Sequence, residues 1–308
     1  MEYVVETENL TRYFGKKPVV DSLNLRIPKG SIYGFLGRNG AGKSTTIKML
    51  LGFMQPTRGS ATVFGEDSTR LSPMTRGRIG YLGEGHYVYG WMTVNELRDY
   101  QRGTYGKWND DLFFGVIDHF GLSLKDKAKN ISRGQRAGLC LALTLAPEPE
   151  LLVLDDPALG LDPVARHSLL QAMVFVTRNG DQTILFSSHM MADVERVVDR
   201  IAVLDHGVLL AECSLDTFRQ SVRQFVLSFK GSPPELETLP GLLQQVRTDH
   251  ELIVTLANPA PETIARLHAL APGSLIETSL GLEDAFINYL SEPGTSSFLT
   301  GDKSSLEA

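Results

Sequence analysis

Cysteine is scarce: Cys140 and Cys213 are the two in 308 residues. Two are too few for a disulfide framework or a C-x-x-C metal site, which excludes stapled secreted domains and thiolate zinc modules. Long apolar runs are also missing. GLCLALTLA at 138–146 is the strongest candidate, about half of the roughly 18 residues that a membrane-spanning helix needs. Positive charge is not in excess, since 30 Lys+Arg stand against 36 Asp+Glu for a net −6, unlike the basic stripe of a general nucleic-acid binder. The opening MEYVVETENL is acidic and lacks the apolar core of a secretion signal. No histidine pair has the H-E-x-x-H spacing of a zinc hydrolase, and no segment recurs at the period of a repeat protein. These absences lead to the expectation of a soluble, cytosolic protein without bound nucleic acid. What is present suffices for a real core, because 42% hydrophobic against 21% charged residues excludes wholesale disorder. The length suits two folded units at about 100–200 residues each.

Patterning along the chain alternates strand and helix. Residues 1–36 read as strands through VVETENL, VVDSLNLRI and SIYGFLG, and the spacing of Ile47, Leu50 and Leu51 predicts a helix over 43–53. ATVFG (61–65) and RIGYLGE (78–84) read as strands, and residues 92–146 are richer in helical patterns broken by Gly, Asn and Asp. LLVLD (151–155), stopped by two aspartates and Pro157, reads as a buried parallel strand. A helix over 163–178 with proline at its start follows, then the strand TILFSS (183–188), a helix near 190–198 and a hairpin around Gly207. Such alternation predicts a mostly parallel α/β sheet. Composition changes after Phe218: RQFVLSF, ELIVTLA and SLIETS read as strands, 261–270 and 282–290 as helices. Residues 219–292 are therefore expected to form a small α+β domain, and the Ser/Gly-rich 293–308 a disordered tail.

Residues 37–45 read GRNGAGKST, in which Gly37, Gly42, Lys43 and Ser44 complete G-x-x-x-x-G-K-[ST] between a strand and a helix. Glycines let successive backbone N–H groups surround phosphates, and the helix start adds partial positive charge. The set Gly37, Arg38, Asn39, Gly40, Ala41, Gly42, Lys43, Ser44 and Thr45 is the expected ATP-binding loop. Lys43 reaches for the β- and γ-phosphates, and Ser44 for Mg²⁺. Asp155, at the tip of LLVLD, is the candidate acidic partner of that ion.

Beyond these motifs, residues 3–215 resemble the ATP-binding cassette (ABC) transporter ATPases. NISRGQ (130–135) resembles the family signature, ALGLDP (158–163) with Asp162 the D-loop, and His189 in FSSHMMADVE the switch histidine. Phe14 stands where the family has an aromatic that stacks on adenine. YGKWND (105–110), the direct join of SRGQ to an apolar helix and the closing LEDAFINYL (282–290) are similar to cytosolic ATPases of bacterial multidrug and bacitracin exporters. The resemblance implies a P-loop cassette over 1–218 with a mostly parallel core sheet, an antiparallel β subdomain and a helical subdomain at about 88–146. It also implies ATP and Mg²⁺ as cofactors and a homodimer or heterodimer with a second cassette. In that dimer Ser132, Arg133, Gly134 and Gln135 face the partner's ATP. A transmembrane permease on a separate chain would hold the protein at the inner face of the plasma membrane, for export of a drug, peptide or lipid-like substrate. Residues 219–292 carry no assignable chemistry; in the family such extensions are often regulatory or dimer-stabilising.

Three positions depart from the family pattern. Asp156 stands where the family has the glutamate that positions or deprotonates the attacking water. It keeps the carboxylate but shortens its reach by one methylene, about 1.5 Å, and a misplacement of roughly 1 Å can cost on the order of a hundredfold in rate. Two readings follow: turnover with Asp156, His189, Lys43 and Glu84 as the catalytic set, or an ATP-gated dimerisation switch with very slow hydrolysis. Glu84 replaces the usual glutamine and, as an oxygen donor, remains a candidate Mg²⁺ ligand beside Ser44 and Asp155. Arg133 replaces the first signature glycine. The aromatic run YVYGW (87–91) is either packing or a permease docking face. A cassette acting on nucleic acid or ribosomes is a third reading, disfavoured by the single P-loop and the acidic balance.

Overall fold

The unbroken apolar runs become the middle of a sheet. The computed structural model describes residues 2–177, 182–195, 197–236, 238–270 and 272–290, and packing divides the chain into two units, Met1–Cys213 and Ser214–Ala308. In the first, the order is β1 (Tyr3–Phe14), β2 (Lys17–Leu23), β3 (Arg26–Pro28), β4 (Ile32–Leu36), α1 (Lys43–Leu50), β5 (Arg58–Val63), β6 (Glu66–Asp67), α2 (Pro73–Gly77) and β7 (Ile79–Leu82). It continues with α3 (Val94–Arg102), α4 (Asp110–His119), α5 (Arg133–Leu145), β8 (Leu151–Asp155), α6 (Pro163–Thr177), β9 (Thr183–Ser188), α7 (Met191–Val194), β10 (Arg200–Asp205) and β11 (Val208–Ser214).

One sheet runs β11-β10-β4-β9-β8-β7, and its members from β10 to β7 pair in parallel. LLVLD in β8 and TILFSS in β9 are buried at every position, as strands covered on both faces require. Parallel register brings the C-terminal ends of β4, β9 and β8 to one edge, with Leu36 beside Ser188 and Asp155 beside Ser187. Three functional loops therefore leave the sheet side by side, the usual place for a ligand in an open α/β sheet.

The second sheet, β2-β1-β5-β6 with β3 added to β1, is antiparallel. Val5, Leu10, Val20 and Leu23 from it share a core with Phe35, Val153 and Leu185 of the parallel sheet and with Ile47 and Met49 of α1. Helix α1 is shorter than the 43–53 predicted. Gly52 takes φ 71°, Phe53 N–H bonds Lys48 O at 2.8 Å and Gly52 N–H bonds Met49 O at 3.2 Å, the Schellman closure that ends a helix at glycine. Helices α3 and α4 both pack on α5. The apolar run of α5 is buried from Ala137 to Leu145, and Gly138 leaves room for the Phe120 ring against its backbone.

The second unit contains α8 (Leu215–Ser221), β12 (Val222–Ser228), β13 (Leu242–Arg247), β14 (Glu251–Ala257), α9 (Pro261–Ala269), β15 (Ser274–Ser279) and α10 (Leu282–Leu290). Its antiparallel sheet runs β13-β14-β12-β15 over a core of Phe225, Leu227, Leu252, Val254, Leu256 and Leu267. The unit starts at Ser214, earlier than the 219 expected from composition, because LDTFRQS forms a helix capped by the Ser214 hydroxyl, which accepts from Thr217 N–H at 3.0 Å. Strand β13 was not foreseen. The tail expected over 293–308 lies outside the described residues. Among the described residues no helix is long and apolar enough to cross a membrane.

Candidate functional site

The loop between β4 and α1 is shaped by glycine where no other residue fits. Gly42 holds φ 106° and caps α1, and a Cβ there would stand 2.5 Å from the Val19 carbonyl oxygen. Neither a capping side chain nor an acidic residue occupies the first turn of α1. Its orphan N–H groups and positive dipole end are thus left for an anion. Lys43 is buried, and its ammonium donates to the carbonyls of Gly37 at 2.7 Å and Arg38 at 3.3 Å. Burial pulls its pKa below the ordinary lysine value, while Asp156 and Asp155 pull it back up. Gly37 packs against the Leu204 backbone, and Ala41 O accepts from Gly207 N–H at 3.0 Å, so these residues hold the loop from behind.

Two carboxylates stand opposite the loop. Asp155 is buried, and its Oδ1 accepts from Ser44 Oγ at 3.0 Å and from Ser187 Oγ at 2.7 Å. Asp156 follows in the left-handed region at φ 49°, which turns its side chain away from the strand. Its N–H donates to Ser187 Oγ at 3.0 Å and Ser187 O at 3.2 Å. Its Oδ2 accepts from His189 Nδ1 at 2.7 Å, which leaves Nε2 as the free nitrogen of that ring. Asn39, Gly40, Gly42, Lys43, Ser44, Thr45, Glu84 and Asp156 line one cleft with Val19 and Leu159.

Ser44 and Asp155 fit a hard cation of the magnesium type. Hydroxyl and carboxylate oxygens already face each other within 3.0 Å, and exposed Glu84 adds an oxygen donor from the same cleft. Among the described residues no three His, Cys, Asp or Glu side chains form a complete metal cage. A small donor set suits an ion that keeps most of its water and phosphate ligands.

The remaining predicted residues lie elsewhere in the unit. Ser132 caps α5 in a reciprocal box, its Oγ accepting from Gln135 N–H at 3.1 Å and Gln135 Oε1 accepting from Ser132 N–H at 3.1 Å. Gly134 is buried, and a Cβ on it would stand 2.5 Å from Ala165 Cβ of α6, so this glycine is required by helix contact. Arg133 is exposed, with its Nη1 3.6 Å from where a Cβ on Gly160 would lie, so it runs along the 158–163 loop. Asp162 caps α6, accepting from Val164 and Ala165 N–H at 2.9 and 3.0 Å. Phe14 is 48% exposed, with the Arg12 guanidinium carbon 5.0 Å from its ring centroid. None of Phe14, Ser132, Arg133, Gly134, Gln135 and Asp162 lines the cleft of the P-loop.

Two site residues were not picked out by motif. Ser187 carried a readable signal, since it stands at the end of TILFSS, level with Asp155. His86 carried none. It is 6% exposed, and its Nε2 donates to the Pro157 carbonyl at 2.8 Å; burial lowers its pKa below the ordinary histidine value. Around it lies a cavity of about 630 Å³ lined also by Tyr81, Glu84, Tyr87, Gln101, Cys140 and Thr144.

Comparison with known proteins fits this geometry. A profile of the family described as ABC transporter matches residues 20–159. The bacitracin transport ATP-binding protein BcrA of Bacillus licheniformis is 34% identical over 228 residues, covering 73% of this chain and 74% of that protein. The Nod factor export ATP-binding protein I of Rhizobium sp. (strain N33) is 33% identical over 291 residues, 92% of this chain and 95% of its own length. Among solved structures, an ATP-binding subunit of an ABC transporter superposes with TM-score 0.63 at 29% identity, over 70% of this chain and 92% of that one.

Proposed function

The chain belongs to the ABC transporter ATP-binding proteins, and on that footing we propose that it is the hydrolytic motor of an exporter whose permease is a separate chain. The observation that carries the hydrolytic part is the Asp156–His189 pair, joined at 2.7 Å beside the cleft that holds Lys43 and the start of α1. The family shows ATP as the ligand; which residues of this chain hold it is our assignment. The N–H groups at the start of α1 and the Lys43 ammonium, released from the Gly37 and Arg38 carbonyls, bind the phosphate oxygens. Phe14 offers its exposed ring as a platform for the adenine. Ser44, Asp155 and Glu84 would hold Mg²⁺ together with the phosphates, and the ion would supply charge neutralisation there. Asp156 accepts a hydrogen bond from the attacking water and orients it in line with the γ-phosphorus. His189 keeps that carboxylate aimed through Nδ1 and turns Nε2 to the phosphate side. The loss of one methylene relative to glutamate is offset by this anchoring and by the left-handed turn at Asp156.

Placement of Ser132–Gln135 away from the chain's own P-loop cleft supports a site completed by a second cassette, with the α5 N-terminus of one chain against the γ-phosphate of the other. Trp91 is 68% exposed and stacks near Tyr89, which also meets Tyr100, and Tyr87 close by in sequence is 90% exposed. A cluster of exposed aromatics marks a protein contact surface, which we assign to the permease. Through that contact the protein would sit at the inner face of the membrane. The relatives named for bacitracin transport and Nod factor export support export of a drug, peptide or lipid-like substrate. Phosphate release from Mg·ATP by the purified chain tests the reading: loss in both Lys43→Ala and Asp156→Asn is expected. ATP-dependent dimers that persist for hours with no phosphate released would instead establish a binding switch.

A further inference from the structure

Asp156 sits in the left-handed backbone region and is held from both sides. On its N-terminal side, Ser187 binds its N–H through both a hydroxyl and a carbonyl. On its C-terminal side stands Pro157, which has no N–H to offer, so its carbonyl is the available grip. That carbonyl is taken by His86 Nε2 at 2.8 Å, from 71 residues away in the chain. His86 is itself in the left-handed region at φ 49°, an uncommon conformation for a residue with a side chain. Two non-glycine residues thus hold unusual backbone geometry and meet through one hydrogen bond. Glycine before it (Gly85, φ 92°) lets the loop turn so that the ring enters the interior.

The loop that carries His86 also carries Glu84 on one side and the exposed Tyr87 on the other, and all three line the same cavity. We infer that His86 is a positioning residue which ties this loop to Asp156 through the Pro157 carbonyl, so that displacement at the cavity rim shifts the carboxylate that orients water. The inference rests on Asp156 being that carboxylate. Its signature is a loss of rate without loss of ATP affinity, because the His86 ring bonds the Pro157 carbonyl and makes no hydrogen bond to the P-loop or to Asp155 among the described residues. A shift of the carboxylate by roughly 1 Å predicts a rate loss on the order of a hundredfold.

The test uses the full chain, with single-turnover hydrolysis measured at enzyme in excess over ATP and nucleotide affinity measured separately. His86→Leu fills the volume without a donor, and His86→Gln returns an N–H to the same carbonyl. Expected is a rate loss of about 10- to 100-fold in His86→Leu with ATP affinity within about twofold of the original. His86→Gln should recover most of the rate. A wild-type rate in His86→Leu overturns the inference, as does equal loss of rate and affinity in both variants, which marks a folding role. Asp156→Asn separates the two levels. If it is inactive while His86→Leu is fully active, only the role of His86 falls. If Asp156→Asn is itself fully active, the assignment of Asp156 falls first.

Discussion

Three side-chain hydrogen bonds converge on two adjacent carboxylates, and one of the donors, Ser187, also holds the Asp156 backbone. Ser187 donates to Asp155 and accepts from the Asp156 N–H, so it sets the proposed metal-facing and water-facing groups together. Removing it leaves the Asp156 N–H its second acceptor, the Ser187 carbonyl at 3.2 Å, but deprives Asp155 of one of its two hydroxyl partners. A hydrogen bond to a charged group is worth about 1.5–3 kcal/mol. Ser187→Ala is therefore expected to raise the Mg²⁺ concentration for half-maximal hydrolysis by about tenfold or more, with ATP binding in the absence of metal unchanged. An unchanged Mg²⁺ titration would show that the serine merely fills space. Asp156 was legible in the sequence as the carboxylate that follows the tip of LLVLD, yet its left-handed backbone was not, because even aspartate adopts that region only in a minority of cases. His86 stayed silent for the same reason, since its partner is a main-chain oxygen 71 residues away.

At the scale of elements, legibility followed burial. Runs buried on both faces, such as LLVLD and TILFSS, left no doubt as strands because nothing polar interrupts them. Strand β13, LLQQVR, is half-buried along almost its whole length, so it shows neither a run nor an alternation and escaped notice. Helix α5 gave the opposite kind of signal: its apolar stretch is too short to span a membrane and is instead wrapped by α3, α4 and β7. Cys140 reports on that packing, because burial pushes its thiol up to about 12. A thiol with so little thiolate reacts slowly. Iodoacetamide at pH 8 is thus expected to spare Cys140 in the native chain and to modify it after denaturation, as read by mass spectrometry. Rapid native alkylation of Cys140 would mean that the helices around α5 open. In the second unit, Phe225 lies at the centre of the core, and Phe225→Ala should lower that unit's stability by about 3–5 kcal/mol in denaturant titrations. ATP affinity of the Met1–Cys213 unit should remain unaltered; a parallel loss would show that the two units fold as one.

For the molecule as a whole, the division into a cassette and a smaller α+β unit separates the chemistry from whatever the second unit does. All the cleft residues fall within Met1–Cys213. The ordered motifs of that unit were readable because phosphate binding demands glycine, lysine and hydroxyl groups at fixed spacing. The second unit carries no such demand, and its sequence shows only the patterning of a core. The proposed composite site is the larger consequence. Ser132 and Gln135 complete a helix cap and lie apart from the P-loop cleft of their own chain, as the proposal that one chain carries half of each site requires. The measurement that tests this account most directly is phosphate release from Mg·ATP over a wide range of protein concentration, with Asp156→Asn alongside. The account predicts a rate per chain that rises with concentration until dimers saturate, and its loss in Asp156→Asn. A rate per chain independent of concentration, or one that survives in Asp156→Asn, would contradict it.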